Sequence, residues 1–265
     1  LKRKELQMNG ILHNKCVIVT GGTTGIGHAT AVLAAQAGAD VAFCGLTDDG
    51  AAETTRAIEA AGRRAFFRAL DLSDLDAARQ FARDAIAFLG RLDGLVNNAG
   101  TNFFQSLLGS SYESIQECFL LNFYSAWTIS REAYPALKAA GGGMIVNLAS
   151  IHAQRTGPGV FPYNVSKAMM SAMTQSMALE WGPDQIQAVA IAPALILTPL
   201  ADAYFNQFDD PQAIRANMEK SYPLKHAGRP EDIGSMIVFL LSRQSLFVSG
   251  TTILIDGAIS AQIEP

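Results

Sequence analysis

Tyr163 and Lys167 stand four residues apart in Tyr163-Asn164-Val165-Ser166-Lys167, so on a helix their side chains share one face. A cation beside a phenol favours the phenolate and lowers a pKa that is ordinarily about 10. Tyr163 is therefore a candidate general base, with Lys167 as the group that tunes it. Alone, a Tyr/Lys pair at this spacing is more often a solvated helix face. Other residues must be brought to it before it reads as chemistry.

The elements that could do so alternate along the chain. Cys16-Val17-Ile18-Val19-Thr20 is a short β-branched run, halted by Gly21-Gly22 and followed by an Ala-rich helical pattern from about Ile26 to Ala37. Gly21, Gly25 and Gly27 permit a tight turn and let a pyrophosphate approach main-chain N–H groups at a helix N-terminus. Their spacing, Gly21-x-x-x-Gly25-x-Gly27, departs from the commoner Gly-x-Gly-x-x-Gly fingerprint. Further strands are expected at Val41–Cys44, Ala65–Leu70, Leu95–Asn97, Met144–Leu148, Ala188–Ala192 and Thr252–Ile255, with helices between them. Ser73 is a candidate helix N-cap.

A single long helix is expected from about Tyr112 to Ala140, carrying Asn122 among Leu120, Leu121 and Phe123. A buried amide needs a partner, either within the core or at a functional site. The stretch from Leu195 to about Ser221 carries Tyr204, Phe205 and Phe208 and suggests a substrate lid at about 197–221. Strands alternating with helices, with no linker between them, point to a single α/β domain. Residues 1–14, opening on Leu1, read as an N-terminal extension and residues 15–265 as the domain.

Of the 265 residues 49% are apolar, which is enough to build a full core, and the mean hydropathy is +0.17. Twenty Lys and Arg against 24 Asp and Glu give a net charge of -4 with no basic block, which argues against nucleic acid as a partner. No apolar run approaches membrane-spanning length, so a cytoplasmic protein is expected. Cys16, Cys44 and Cys118 lack metal-ligand spacing, and neither a metal nor a disulfide is expected.

Taken together, Thr20-Gly21-x-x-x-Gly25-x-Gly27, Asp71, Asn97-Asn98-Ala99-Gly100, Asn122, Ser150, Tyr163-x-x-x-Lys167 and Pro193-x-x-x-x-Thr198 resemble the short-chain dehydrogenase/reductase family over nearly the whole chain. Ser150 precedes Tyr163 by 13 residues, as in that family's pattern. The resemblance implies that Asn122, Ser150, Tyr163 and Lys167 are catalytic. Tyr163 would move the proton, Lys167 would lower its pKa and bind the nicotinamide ribose, Ser150 would hold the substrate oxygen, and Asn122 would anchor a water leading to Lys167. It also implies a dinucleotide site formed by Gly21, Thr23, Thr24, Gly25, Ile26, Gly27, Leu46, Asp71, Leu72, Asn98, Ala99, Gly100, Tyr163, Lys167, Pro193, Ile196 and Thr198, with Asp71 accepting from the adenine amino group. The resemblance also implies the fold class, α/β with a Rossmann-like, doubly wound, parallel seven-stranded sheet and helices on both faces in a single domain, as well as a homotetramer and a hydride transfer at a CH–OH carbon. Pro193-Ala194 in place of Pro-Gly, Val189 in place of an Asn, and Asp256-Gly257-Ala258 in place of Asp-Gly-Gly depart from the pattern without removing a catalytic group.

No cation stands at Thr24 or Leu46, and Asp48 and Asp49 follow, so repulsion of a 2'-phosphate favours NAD over NADP. The stretch between Ser150 and Tyr163 is polar. His152, Gln154 and Arg155, with Tyr204, Ser150 and Tyr163, are candidate substrate contacts. Arg155 could serve as a fork for a carboxylate or as a surface or inter-subunit ion pair. His152 could bind a hydroxyl or be an ordinary hydrogen-bonded histidine. The expected substrate is a small polyhydroxylated molecule, a sugar or a sugar acid such as a 2-keto-3-deoxy aldonate. Alternatives are an NADPH-dependent carbonyl reductase of the 3-oxoacyl type and a non-catalytic nucleotide-sensing protein.

Overall fold

The computed structural model describes residues 10–263. Seven parallel strands form one sheet in the order β3-β2-β1-β4-β6-β8-β9. They are β1 (Cys16–Val19), β2 (Asp40–Gly45), β3 (Ala65–Ala69), β4 (Gly94–Asn97), β6 (Gly143–Leu148), β8 (Ile186–Pro193) and β9 (Thr251–Ile255). The order reverses between β1 and β4, which opens a crevice at their C-terminal ends. Two further strands of two residues each, β5 (Phe104–Gln105) and β7 (Phe161–Pro162), pair antiparallel above that edge, with Phe104 opposite Pro162.

Strands buried on both faces need apolar residues at successive positions, and these have them. Val17, Val19, Val41, Phe43, Val96, Met144, Val146, Val189 and Ile191 point to one face, towards α1 (Gly25–Gln36), α2 (Ala51–Ala60) and α9 (Pro230–Leu241). Ile18, Ala42, Cys44, Leu95, Ile145, Ala188, Ala190 and Ala192 point to the other, towards α3 (Leu75–Leu89), α5 (Ser125–Ala139) and α6 (Tyr163–Trp181). The three alanines of β8 leave room for Met170, Met173 and Met177 of α6. Phe43 and Phe81 are fully enclosed, a burial that contributes roughly 2–3 kcal/mol each.

A group of polar side chains crosses this second core. Asn97 at the end of β4 lies in register with Asn147 of β6. Its Nδ2 donates to Asn147 Oδ1 at 2.7 Å and to Ser130 Oγ of α5 at 2.9 Å, while Asn147 Nδ2 donates to Thr174 Oγ1 of α6 at 2.8 Å.

Three expectations change. The turn at 10–14 belongs to the packed unit rather than to an extension, because Leu12 is fully buried and its N–H donates to Ala37 O at 2.9 Å. Residues 1–9 lie outside the described residues. The cap of α3 is Asp74, whose Oδ1 accepts from Asp76 N and Ala77 N; Ser73 instead bonds Asp71. The long helix is interrupted. α4 (Tyr112–Phe119) passes into a π turn at Leu120–Tyr124, where the Ser125 N–H reaches back to Leu120 O, before α5 begins. Such a turn aims side chains that a regular helix would stagger differently. The side chain it carries inward is Asn122.

Candidate active site

β1 delivers the glycine loop to the crevice. Gly21 and Gly25 adopt φ of 64° and 53°, a region that favours glycine. A Cβ at Gly27 would overlap the Gly21 carbonyl oxygen. Ile26 and Gly27 lie in the first turn of α1, which has no acidic residue there, and its N-cap, Thr24, makes no side-chain cap. Its first amides are thus left for an anion, as a dinucleotide pyrophosphate requires. Thr23 fills the space over Gly45, where a Cβ would come within 2.6 Å of Thr23 Cγ2. Leu46 is exposed beyond it. These features fit a dinucleotide.

The end of β4 braces that loop. Asn98 Nδ2 donates to Thr20 O at 2.9 Å and to Gly21 O at 3.1 Å, and the main-chain N–H groups of Asn98 and Ala99 both donate to Thr20 Oγ1 at 3.0 Å. Asn98 thus acts on the loop, a positioning part beyond the lining implied for it. Asp71 stands exposed after β3 with Oδ1 held by Ser73 N at 2.8 Å, and Leu72 beside it is buried. After β8, which ends at Pro193, Ile196 pairs with Gly228. Thr198 caps α7 (Pro199–Phe205) and lies over the glycine loop, with Cγ2 3.1 Å from where a Cβ of Gly25 would be. The glycine loop, the ends of β4 and β8 and Thr198 therefore meet around one crevice.

The chemistry-bearing side chains converge beside it. Ser150 follows β6 and is 5% exposed. Its hydroxyl lies beside the Tyr163 phenol, which opens α6. Lys167, one turn on, is also 5% exposed. Its Nζ donates to Leu148 O at 2.8 Å and lies 5.7 Å from the centre of the Tyr163 ring. A Cβ on Gly100 would come within 3.4 Å of that Nζ, so the turn after β4 runs against it.

Asn122, fully enclosed, clamps the Thr101 backbone: Oδ1 accepts from Thr101 N at 3.0 Å and Nδ2 donates to Thr101 O at 3.0 Å and to Ser166 Oγ at 3.2 Å. Its side chain is occupied by protein partners, so the expected water would have to use its main chain.

The electrostatics differ from the expectation that Lys167 lowers the Tyr163 pKa. Burial pushes the Tyr163 phenol above its usual value, against a smaller lowering by the Ser150 hydroxyl. Burial also brings Lys167 down to about 8. An ammonium in an enclosed site loses hydration, which weakens its hold on its proton. The cation is directed at a carbonyl rather than at the phenol oxygen.

Of the residues expected to contact substrate, Ser150, His152, Tyr163 and Tyr204 come together and two do not. Gln154 is exposed, and so is Arg155, whose Nη1 donates to Gln262 O at 3.1 Å in the C-terminal segment. The carboxylate fork is therefore engaged elsewhere. Phe104 was not anticipated. Its ring meets those of Tyr163, Tyr204 and His152 edge-on at 5.3, 5.8 and 6.2 Å, and Tyr204 continues to Phe208 at 5.3 Å. The site is more aromatic than the polar stretch after Ser150 suggests. The pairing of β5 with β7, which places Phe104 over Tyr163, is too short to leave a periodic signal. No helix among the described residues is long and apolar enough to cross a membrane.

Residues 21–260 match the family described as Enoyl-(Acyl carrier protein) reductase. L-rhamnose 1-dehydrogenase (NAD(P)(+)) of Sphingomonas sp. (strain SKA58) is 35% identical over 257 residues, spanning 96% of this chain and 99% of that protein. An uncharacterized oxidoreductase of Mycobacterium tuberculosis is 34% identical over 250 residues, spanning 94% of this chain and 93% of its relative. The crystal structure of acetoin dehydrogenase from Enterobacter cloacae superposes with a TM-score of 0.85 at 32% identity, covering 95% of this chain and 99% of its own.

Proposed function

Because this chain belongs to the short-chain dehydrogenase/reductase family, we propose that it oxidises a secondary alcohol of a small, neutral, polyhydroxylated substrate, a sugar in the first instance, with NAD as the acceptor. It is an NAD(P)-dependent oxidoreductase acting on CH–OH groups. The observation that carries the finer reading is the convergence at the crevice of the buried Ser150, Tyr163 at the start of α6, and Lys167 one helical turn on with its Nζ held by Leu148 O.

Ser150 and Tyr163 hold the reacting oxygen between them. As the carbinol carbon is oxidised, Tyr163 takes the hydroxyl proton, and in the reverse direction it returns that proton to the carbonyl oxygen. Lys167, fixed by Leu148 O, presents a cation behind the phenol. Asn122 holds Thr101 and Asn98 holds the glycine loop, so the two sides of the crevice keep their spacing. The glycine loop with Lys167, Pro193, Ile196 and Thr198 would hold the dinucleotide, which when bound would supply the hydride acceptor. The segment of α7 and α8 (Pro211–Ser221) would close the substrate side as a lid, with Tyr204 of α7 against Phe104.

Charge supports NAD. Leu46, Thr47, Asp48, Asp49 and Gly50 after β2 include no cation for a 2'-phosphate, and Asp49 Oδ2 accepts from Thr47 Oγ1 at 2.9 Å within an acidic turn. The engagement of Arg155 with Gln262 favours a neutral sugar over a sugar acid. Rhamnose and acetoin, named for the relatives, are both neutral and carry oxygen on the carbon next to the reacting one.

A second reading has its own observation. The aromatic run Phe104–Tyr204–Phe208 would suit the apolar flank of an acyl ketone reduced with NADPH. Following nicotinamide absorbance with NAD and NADP against neutral sugars, sugar acids, hydroxyketones and 3-oxoacyl compounds separates the two. Turnover with NAD on neutral hydroxylated substrates is expected. Turnover confined to NADPH and acyl ketones would replace the first reading with the second. A panel silent throughout, with dinucleotide binding intact, would favour a nucleotide-sensing protein.

A further inference from the structure

His152 lies two residues past Ser150 in a single 3-10 turn, Ile151–Ala153. Its main-chain N–H donates to Ser150 Oγ at 3.2 Å, which ties the residue to the group that meets the reacting oxygen. Its ring stands edge-on to Tyr163 at 6.1 Å and to Phe104 at 6.2 Å. Nδ1 is enclosed and has no hydrogen-bond partner among the described residues. An enclosed N–H without an acceptor is rarer than an enclosed lone pair, which places the ring proton on Nε2. With Nδ1 enclosed, Nε2 is the ring nitrogen left to meet a ligand. Burial lowers the His152 pKa, and the ring stays neutral at pH 7 as a single donor.

We propose that His152 determines specificity: its Nε2–H donates to a second substrate oxygen, on the carbon adjacent to the one that reacts, and thereby selects vicinal diols and α-hydroxy ketones over alcohols with one oxygen. This rests on the reading of the site given above and narrows its substrate class. The imidazole leans on the same phenol that takes the proton, so the oxygen it meets belongs to a neighbouring carbon and not to a distant group. Phe104, edge-on to Tyr163, and Tyr204 beside it offer apolar ring surface on which a short carbon skeleton can rest. A neutral donor suits a hydroxyl or carbonyl oxygen and, with Arg155 turned to Gln262, the substrate needs no carboxylate.

The test uses two probe pairs that differ by one oxygen: butane-2,3-diol with butan-2-ol, and L-rhamnose with 2-deoxy-L-rhamnose. For the full chain, His152→Phe and His152→Gln, kcat/KM is measured on each with NAD and NADP. The wild type should prefer the more oxygenated member by about 10-fold or more, as a neutral hydrogen bond allows. His152→Phe should abolish that preference while the single-oxygen member changes by less than about threefold, and His152→Gln, which offers an N–H, should recover part of it. A preference that persists in His152→Phe, or an equal loss on both members of a pair, would overturn the assignment and leave the dehydrogenase reading in place. Wild-type turnover on neither pair, with turnover on acyl ketones, would overturn both.

Discussion

Lys167 Nζ donates to Leu148 O at 2.8 Å, joining the second turn of α6 to the last residue of β6. The lysine is enclosed and its pKa is lowered to about 8, so the folded state releases this proton before the unfolded chain does. Between about pH 8 and 10.5 the unfolded state binds more protons, and stability rises with pH there. Below about 8 both states are protonated and the full penalty of burial applies, on the order of 3 kcal/mol. Lys167→Met is therefore expected to be more stable than wild type at pH 7, by up to about 3 kcal/mol less the lost bond to Leu148. Urea unfolding from pH 7 to 10 should show the gap between the two proteins closing; a constant gap would contradict this origin.

Removing the phenol hydroxyl isolates the proton-transfer step. Tyr163→Phe should lose about 10²–10⁴-fold in kcat, while dinucleotide affinity measured by fluorescence quenching changes little. Comparable losses in both would show that the hydroxyl serves mainly to build the cofactor site.

The glycine loop gives a steric prediction. Gly27→Ala puts a methyl group against the Gly21 carbonyl oxygen, so it should weaken dinucleotide binding at least about 10-fold and lower Tm. Gly182→Ala is the control: that residue has φ of -56° and open space at its Cβ position, and its change should be neutral or slightly stabilising. Equal effects of the two substitutions would remove the steric account.

Arg155→Ala should alter kcat/KM to the same extent on carboxylated and neutral substrates, since its guanidinium reaches Gln262 O. The exposed bond is expected to contribute no more than about 1 kcal/mol to stability. A loss seen only with the carboxylated substrate would return Arg155 to the pocket.

Much of this is legible along the chain because it is local. Uninterrupted β-branched and alanine runs mark strands covered on both faces, glycines mark the turn before α1, and the i, i+4 spacing of Tyr163 and Lys167 survives unchanged as the start of α6. The discrepancies come from contacts between distant segments. Asn122 sits in a run that reads as one helix, and its partner Thr101, 21 residues earlier, emerges only when β4 and the π turn pack together. Phe104 reaches Tyr163 through a ladder of two residues, and Arg155 finds Gln262 from 107 positions away. The direction of the Tyr163 shift depends on enclosure, which spacing does not encode.

Asn97 and Asn147 have a consequence for where the reaction takes place. They sit side by side on adjacent strands, and through Ser130 and Thr174 they hold α5 and α6 at one height above the sheet. Sliding α6 by a turn would strand buried amides in an apolar layer, each at about 1–3 kcal/mol. The amides therefore index the helix axially, as a keyway indexes a shaft. Tyr163, about three turns before Thr174 on that helix, inherits its elevation over the strand ends from a polar contact deep in the core.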